Sequence, residues 1–171
     1  EGNGLLAIPR LRPGWEANYS GNPPLFHIAG FGKIIRCQVL PDGRSNIVIL
    51  GLGRMRIDHE IPTDTAYRVS NGAIQEDIYP VGGINALSIE VRRLRLMVAQ
   101  TLGSRPRLAD RIGHLMSEDN DPLALINGTA HMLLPNVDAR QQFLEIDRVS
   151  DRIEYLMSLL ASAMLDEQVR R

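Results

Sequence analysis

The spacing of apolar residues changes near residue 80, and that change governs what the chain can become. Before it, short apolar runs are broken every few positions by Gly, Pro, Asn or Asp. After it, apolar residues recur at helical intervals. A strand turns successive side chains to opposite faces, whereas a helix stacks those three or four apart, so two periods mean two kinds of layer. The expectation is an α+β fold, with a β-rich lobe over residues 1–80 followed by an α-helical bundle over residues 81–171.

In the first part, residues 5–9 form a short apolar run, and residues 12–24 read as a loop rich in Pro, Gly and Asn that carries Trp15 and Tyr19. Strands are expected over residues 25–31, over 33–40 with β-branched Ile34, Ile35 and Val39, and over 45–50. Residues 54–60 alternate, with Met55 and Ile57 facing one way and Arg54, Arg56 and Asp58 the other, the pattern of a sheet with one buried face. Ile47, Ile49, Met55 and Ile57 are the core these strands are expected to supply. A further strand is expected over residues 66–76, with Tyr67 and Val69 two apart. Leu40-Pro41-Asp42-Gly43-Arg44 has the ingredients of a hairpin turn: Pro presets φ, Asp bonds its own backbone and Gly accepts positive φ. Gly51 and Gly53 suit a bend or bulge where the sheet curls.

In the second part, Ile84, Leu87, Val91, Leu94 and Val98 make one helix face, ended by Gly103, Ser104 and Pro106. A weaker helix is expected around Leu108, Ile112, Leu115 and Met116. Asp121-Pro122 is a start signal, Asp as N-cap and Pro at the first helical position, for a helix running to about Leu133 and stopped by Pro135. Asp138 with Gln141 three later reads as a capping-box variant opening a short helix through Leu144. Val149, Ile153, Leu156, Leu160 and Met164 form the face of the last helix.

Motifs for chemistry are missing. The only lysine, Lys33, is followed by Ile34, so there is no Walker A loop. Gly51-x-Gly53 lies between strands and lacks the third glycine of a dinucleotide fingerprint. His27, His59, His114 and His131 show no metalloprotease spacing, and there is no Gly-x-Ser-x-Gly elbow. Asp58, Glu60 and Asp64 fit a solvated turn better than a cation site, and residues 118–121 lack the ligand spacing of a calcium loop. Cys37 stands alone, which excludes a disulfide framework. No metal and no cofactor is called for, and the chain is expected not to be an enzyme.

Charge narrows the partners. The net charge is −1, and the basic residues, eighteen arginines and one lysine, are scattered along the chain without forming a stripe. Such a field attracts neither nucleic acid nor an anionic membrane. No apolar run approaches the ~20 residues of a membrane span, and a cytoplasmic location is the default expectation. Trp15 and Tyr19 are the remaining candidates: aromatics on a polar loop either anchor a polypeptide partner or pin the loop onto the sheet.

The run PPLFHIAGFGKIIRCQVLPDGRSNIVILGLGRMRIDHEI, followed by Tyr67-Arg68-Val69, resembles the N-terminal substrate-binding domain of the Lon protease family. The resemblance lies in a glycine-bounded strand (Gly30, Gly32), an Asp42-Gly43-Arg44 hairpin, an apolar strand, and then Gly51 to Ile57, with Met55 where Phe is usual. QQFLEIDRVSDRIEYLMSLL, residues 141–160, is similar to the family's run before its last helix. The resemblance implies a PUA-like β lobe with a curled antiparallel sheet, a helical lobe, and non-catalytic recognition of unfolded or apolar polypeptide segments or of a partner protein. Two family features are missing: the opening strands with their Pro-Leu-Phe-Pro signature, and the ATPase and Ser–Lys peptidase domains. A stand-alone domain or a fragment is therefore expected, with sheet edges and an apolar face left open. The binding surface is expected in the loop around Trp15 and in a groove between the lobes. The alternative is an RNA-binding PUA-like module using Arg44, Arg54 and Arg56, against which stand the weak charge and the missing aromatic platform. A small-ligand enzyme is the least supported reading.

Overall fold

The computed structural model describes residues 4–103, 116–117 and 121–169, with side chains through Leu165. The chain divides into two compact units, Glu1–Glu76 and Asp77–Arg171. Its class is α+β.

Among its described residues the first unit holds four strands: β1 (Leu5–Ile8), β2 (Ile28–Val39), β3 (Ser45–Ile61) and β4 (Val69–Gln75). They form one antiparallel sheet in the order β1-β2-β3-β4. The two strands expected over residues 25–31 and 33–40 are one continuous strand, β2, and those over 45–50 and 54–60 are one strand, β3. The glycines curl the ladder without ending it. Phe31 pairs with Gly53 and Gly32 with Gly51, so Leu52 is an extra residue that kinks β3. Gly32 must be glycine there, because a Cβ would collide with the Leu50 carbonyl of the neighbouring strand. At the other end of the hairpin, Gly43 has φ 82°. Gly43 N donates to Leu40 O (3.0 Å) and Leu40 N to Arg44 O (2.7 Å), closing the turn the sequence signals.

Burial in this sheet is uneven. Among the described residues of the first unit, Pro23, Ala29 and Ile57 are the buried apolar side chains, Ile49 and Met55 are half-buried, and Ile47 is exposed, contrary to its expected core role. The ladder explains it: β1 reaches only to Lys33 of β2 and β4 only to Arg54 of β3. Between those points the hairpin is a two-stranded ribbon, and Ile35, Val39, Ile47, Val48 and Leu50 are exposed on it. The last strand also begins later than the pattern suggests, leaving Tyr67 outside it and exposed.

In the second unit a 3-10 turn (Gly83–Leu87) leads into α1 (Ser88–Gly103), followed among the described residues by α2 (Pro122–Leu133), α3 (Val137–Glu145) and α4 (Val149–Val169). The helix expected around Leu108 to Met116 lies almost wholly outside the described residues. Leu87, Val91, Leu94 and Val98 of the first face pack with Leu125 and Ile126 of α2, Phe143 of α3, and Val149, Ile153, Leu156 and Leu160 of α4. Asp121 caps α2 as expected, its carboxylate accepting from Leu123 N (3.0 Å). The cap of α3 is Asn136, which accepts from Ala139 N (2.9 Å), so the expected capping box is displaced. Asp138 sits inside the first turn, and buried Gln141 donates to Glu145 (2.8 Å). Asn offers a capping oxygen as good as that of Asp, and Pro135 before it places the helix start.

The second unit also carries a buried charge. Arg152 of α4, 3% exposed, donates Nη2 to Asp77 Oδ1 (2.6 Å) and Nη1 to Asp77 Oδ2 (3.1 Å). Its Nε donates to Ile146 O (2.8 Å), and its guanidinium lies 5.9 Å from the Phe143 ring centre. Ile78 N donates to Asp147 O, and Val149 N to Ile78 O, so the first residues of this unit are stitched to the start of α4.

Candidate functional site

Residues 10–26 leave the sheet after β1 and return to it at β2 as a long loop closed at its foot. Leu11 and Leu25 form an antiparallel bridge, Arg12 N donates to Pro24 O (2.8 Å) and Phe26 N to Arg10 O (2.9 Å). Arg10 and Arg12 lie over the Phe26 ring at 5.2 and 5.7 Å, and Arg12 Nε donates to Leu25 O (3.0 Å). These contacts fix the crossing of the two limbs, because a guanidinium satisfies a carbonyl in its plane while its face rests on a ring.

At the apex, Gly14 at φ 88° opens a 3-10 turn, Trp15–Asn18. The turn brings Trp15 and Tyr19 together, their ring centres 5.4 Å apart and tilted by 60°. Trp15 is half-buried and Tyr19 is 69% exposed. The two residues singled out from sequence therefore share one apex and present aromatic surface to solvent.

The returning limb is tied down from elsewhere in the sequence. Arg68, just before β4, donates Nε to Glu60 Oε2 (2.9 Å), pairs its Nη2 with Glu60 Oε1 and donates Nη1 to Pro23 O (2.8 Å). Asn22 Nδ2 donates to the same Glu60 Oε2 (3.0 Å). The hydrogen bond from Arg68 holds the Glu60 carboxyl below the usual carboxylate range, with a smaller contribution from Asn22. In the sequence Arg68 stood out only as part of the Tyr67-Arg68-Val69 motif, and Asn22 not at all; the signal for the contact was only an Arg eight residues after a Glu across a turn.

A shallow, open cleft of about 280 Å³ lies at the loop's foot, lined by Arg12, Pro24, Leu25, His27, Ile57, Asp58, His59 and Glu60. His27 is held there by its own backbone and ring: Ile57 N donates to His27 O (2.7 Å), and His27 Nδ1 donates to Ile57 O (3.2 Å). The ring of His59 meets Asn71 at 3.2 Å. The expected acidic patch is thus dispersed, Glu60 to Arg68 and Asp58 to Arg56 (3.2 Å). No group of three or more His, Cys, Asp or Glu among the described residues is placed to hold a metal ion.

The three arginines of the RNA alternative are not brought together. Arg44 sits at the hairpin tip, bound to Asp42 (2.6 Å), whose carboxyl this contact lowers. Arg54 and Arg56 do share a face, but Arg54 is buried with Nη2 donating to Glu76 O (3.3 Å), and Arg56 is engaged by Asp58. At about 3.3 Å per residue along β3, Arg44 stands roughly 33 Å of strand from Arg54 and roughly 40 Å from Arg56.

Comparison with known proteins places the whole arrangement. Residues 2–162 match the family described as the ATP-dependent protease La (LON) substrate-binding domain. A Lon protease of Cytophaga hutchinsonii is 23% identical over 155 residues, covering 86% of this chain and 18% of its own length. Lon protease 2 of Desulfotalea psychrophila is 22% identical over 167 residues, covering 98% of this chain and 21% of its own length. The chain thus spans about a fifth of the curated relatives it matches. The solved N-terminal domain of Mycobacterium avium complex Lon protease shares the fold, with a TM-score of 0.63 at 17% identity, covering 91% of this chain and 90% of that one. The chain belongs to the LON substrate-binding domain family.

Proposed function

We propose that this chain is a non-catalytic binding module that holds unfolded or exposed apolar polypeptide segments, with Trp15 and Tyr19 as contact residues and a cytoplasmic location. The observation that carries this reading is the tilted Trp15–Tyr19 pair at the apex of a loop whose foot is closed by backbone and arginine contacts. An aromatic with two rotatable bonds gives large apolar contact area at small entropic cost, and a fixed loop foot reduces what binding must order. Family membership supports the substrate class, since the family is described as a substrate-binding domain. None of the described helices is long and apolar enough to cross a membrane.

Titration with a reduced, carboxymethylated model protein tests this. Binding at roughly tens of micromolar or tighter is expected, weakening in the Trp15→Ala/Tyr19→Ala double variant. No binding in that range, together with no suppression of aggregation of a heat-denatured protein, refutes the function. Wild-type affinity in the double variant refutes the site.

A further inference from the structure

We propose that Arg68 is a positioning residue for polypeptide capture, working with Glu60 as a latch that holds the aromatic loop in its binding form. This role rests on Trp15 and Tyr19 being the contact pair. Loops as long as residues 10–26 with little regular structure are costly to keep in one conformation, and this one is ordered at its foot by Arg10, Arg12 and Phe26. Those contacts grip the limbs where they cross, and the bond from Gly21 N to Asn18 O (3.0 Å) closes only a local turn; neither ties the stretch between Asn18 and Pro24 to the sheet. The latch does. Two consecutive residues of the returning limb, Asn22 and Pro23, are caught by one ion pair between Glu60 of β3 and Arg68 just before β4, Arg68 lying 45 positions from Pro23 in sequence.

The geometry requires arginine. One guanidinium spans both Glu60 oxygens with Nε and Nη2 and still has Nη1 for the Pro23 carbonyl. A lysine ammonium is a single point and cannot bridge the carboxylate and the carbonyl in that plane. Pro23 is buried, so its carbonyl has little access to water and depends on this donor. Glu60 in turn has a second duty, accepting from Asn22, which sets the limb's direction toward the Trp15–Asn18 turn. With the latch open, the loop samples other conformations, and binding must order it again.

Trp15 is the only tryptophan of the chain, so its fluorescence reports the loop alone. The experiment compares acrylamide quenching of Trp15, and affinity for the carboxymethylated model protein, in wild type, Arg68→Met, Arg68→Lys, Glu60→Gln and Asn22→Ala, all well below the unfolding temperature. Arg68→Met is expected to raise the quenching constant about twofold and weaken binding about five- to tenfold, as lost preorganisation does. Arg68→Lys keeps the charge and is expected not to rescue either readout. Asn22→Ala, an exposed change that leaves the ion pair in place, is expected to move quenching in the same direction by less. Unchanged quenching in Arg68→Met overturns the latch, as does full rescue by Arg68→Lys. Should Arg68→Met fail to fold, unchanged quenching in Asn22→Ala and Glu60→Gln overturns it equally. Wild-type affinity in the Trp15→Ala/Tyr19→Ala double variant would instead overturn the contact pair, while quenching still decides the latch.

Discussion

Replacing Asp77 by Ala is expected to be among the most damaging single changes in the second unit. The change strands Arg152, a guanidinium 3% exposed, with its Ile146 carbonyl contact and the face of Phe143 in place of a two-pronged carboxylate partner. Removing one partner of a buried pair costs about 3–5 kcal/mol, because the remaining charge is neither solvated nor neutralised. Asp77 is itself 22% exposed, so water can reach the vacated position and the lower end, about 3 kcal/mol, is the expected loss. For a unit of 60–100 residues this is roughly a 12–24 °C fall in midpoint, at 4–8 °C per kcal/mol. Urea unfolding followed by circular dichroism at fixed pH measures it. Adding Arg152→Met to Asp77→Ala is expected to recover most of the loss, since a thioether chain needs no counter-charge. A loss below about 1 kcal/mol, or no recovery in the double variant, would refute the reasoning and place the stability of this junction in the Ile78 backbone bonds instead.

Further outcomes are expected from three other features. Gly32→Ala should destabilise the first unit by about 1–3 kcal/mol, read by urea unfolding, because the added Cβ meets the Leu50 carbonyl, which cannot move without breaking the ladder. Asn136→Ala should cost about 1 kcal/mol, and Asp138→Ala only a few tenths, which separates the true cap of α3 from the residue the sequence pattern favours. The Glu60 carboxyl titrates lower in the folded chain than in the unfolded one, so the latch contributes its stability above the usual glutamate range and loses it as pH falls through the folded value. Trp15 quenching should therefore rise on acidification in wild type, and this acid limb should be missing in Glu60→Gln.

The hairpin was legible because its turn chemistry is local. Pro41, Asp42 and Gly43 each fix their own backbone, and Gly43 adopts the positive φ expected of it. The helical faces were legible for a related reason: in Leu87, Val91, Leu94 and Val98, and in Val149, Ile153, Leu156 and Leu160, the period survives any rearrangement of neighbours. Strand ends were less so. Glycine weakens the strand pattern in sequence, yet in β2 and β3 it is what allows one strand to continue through a bulge. The cap of α3 went to Asn136 over Asp138 because two good capping residues stood two apart and Pro135 set the helix start at the first of them.

Sequence by itself determined the class, the order of elements, the family pattern and the aromatic pair worth testing, since each is carried by residues near one another in the chain. Only the tertiary structure decided which apolar strand residues are buried, because that depends on where β1 and β4 stop along the longer strands. It alone set Arg44 apart from Arg54 and Arg56, buried Arg54, and gave each of the three its own acidic or carbonyl partner. And it alone joined Arg68 and Glu60 to Asn22 and Pro23, a contact across 45 positions that no local pattern encodes, because the folded path of the sheet sets which side chains meet.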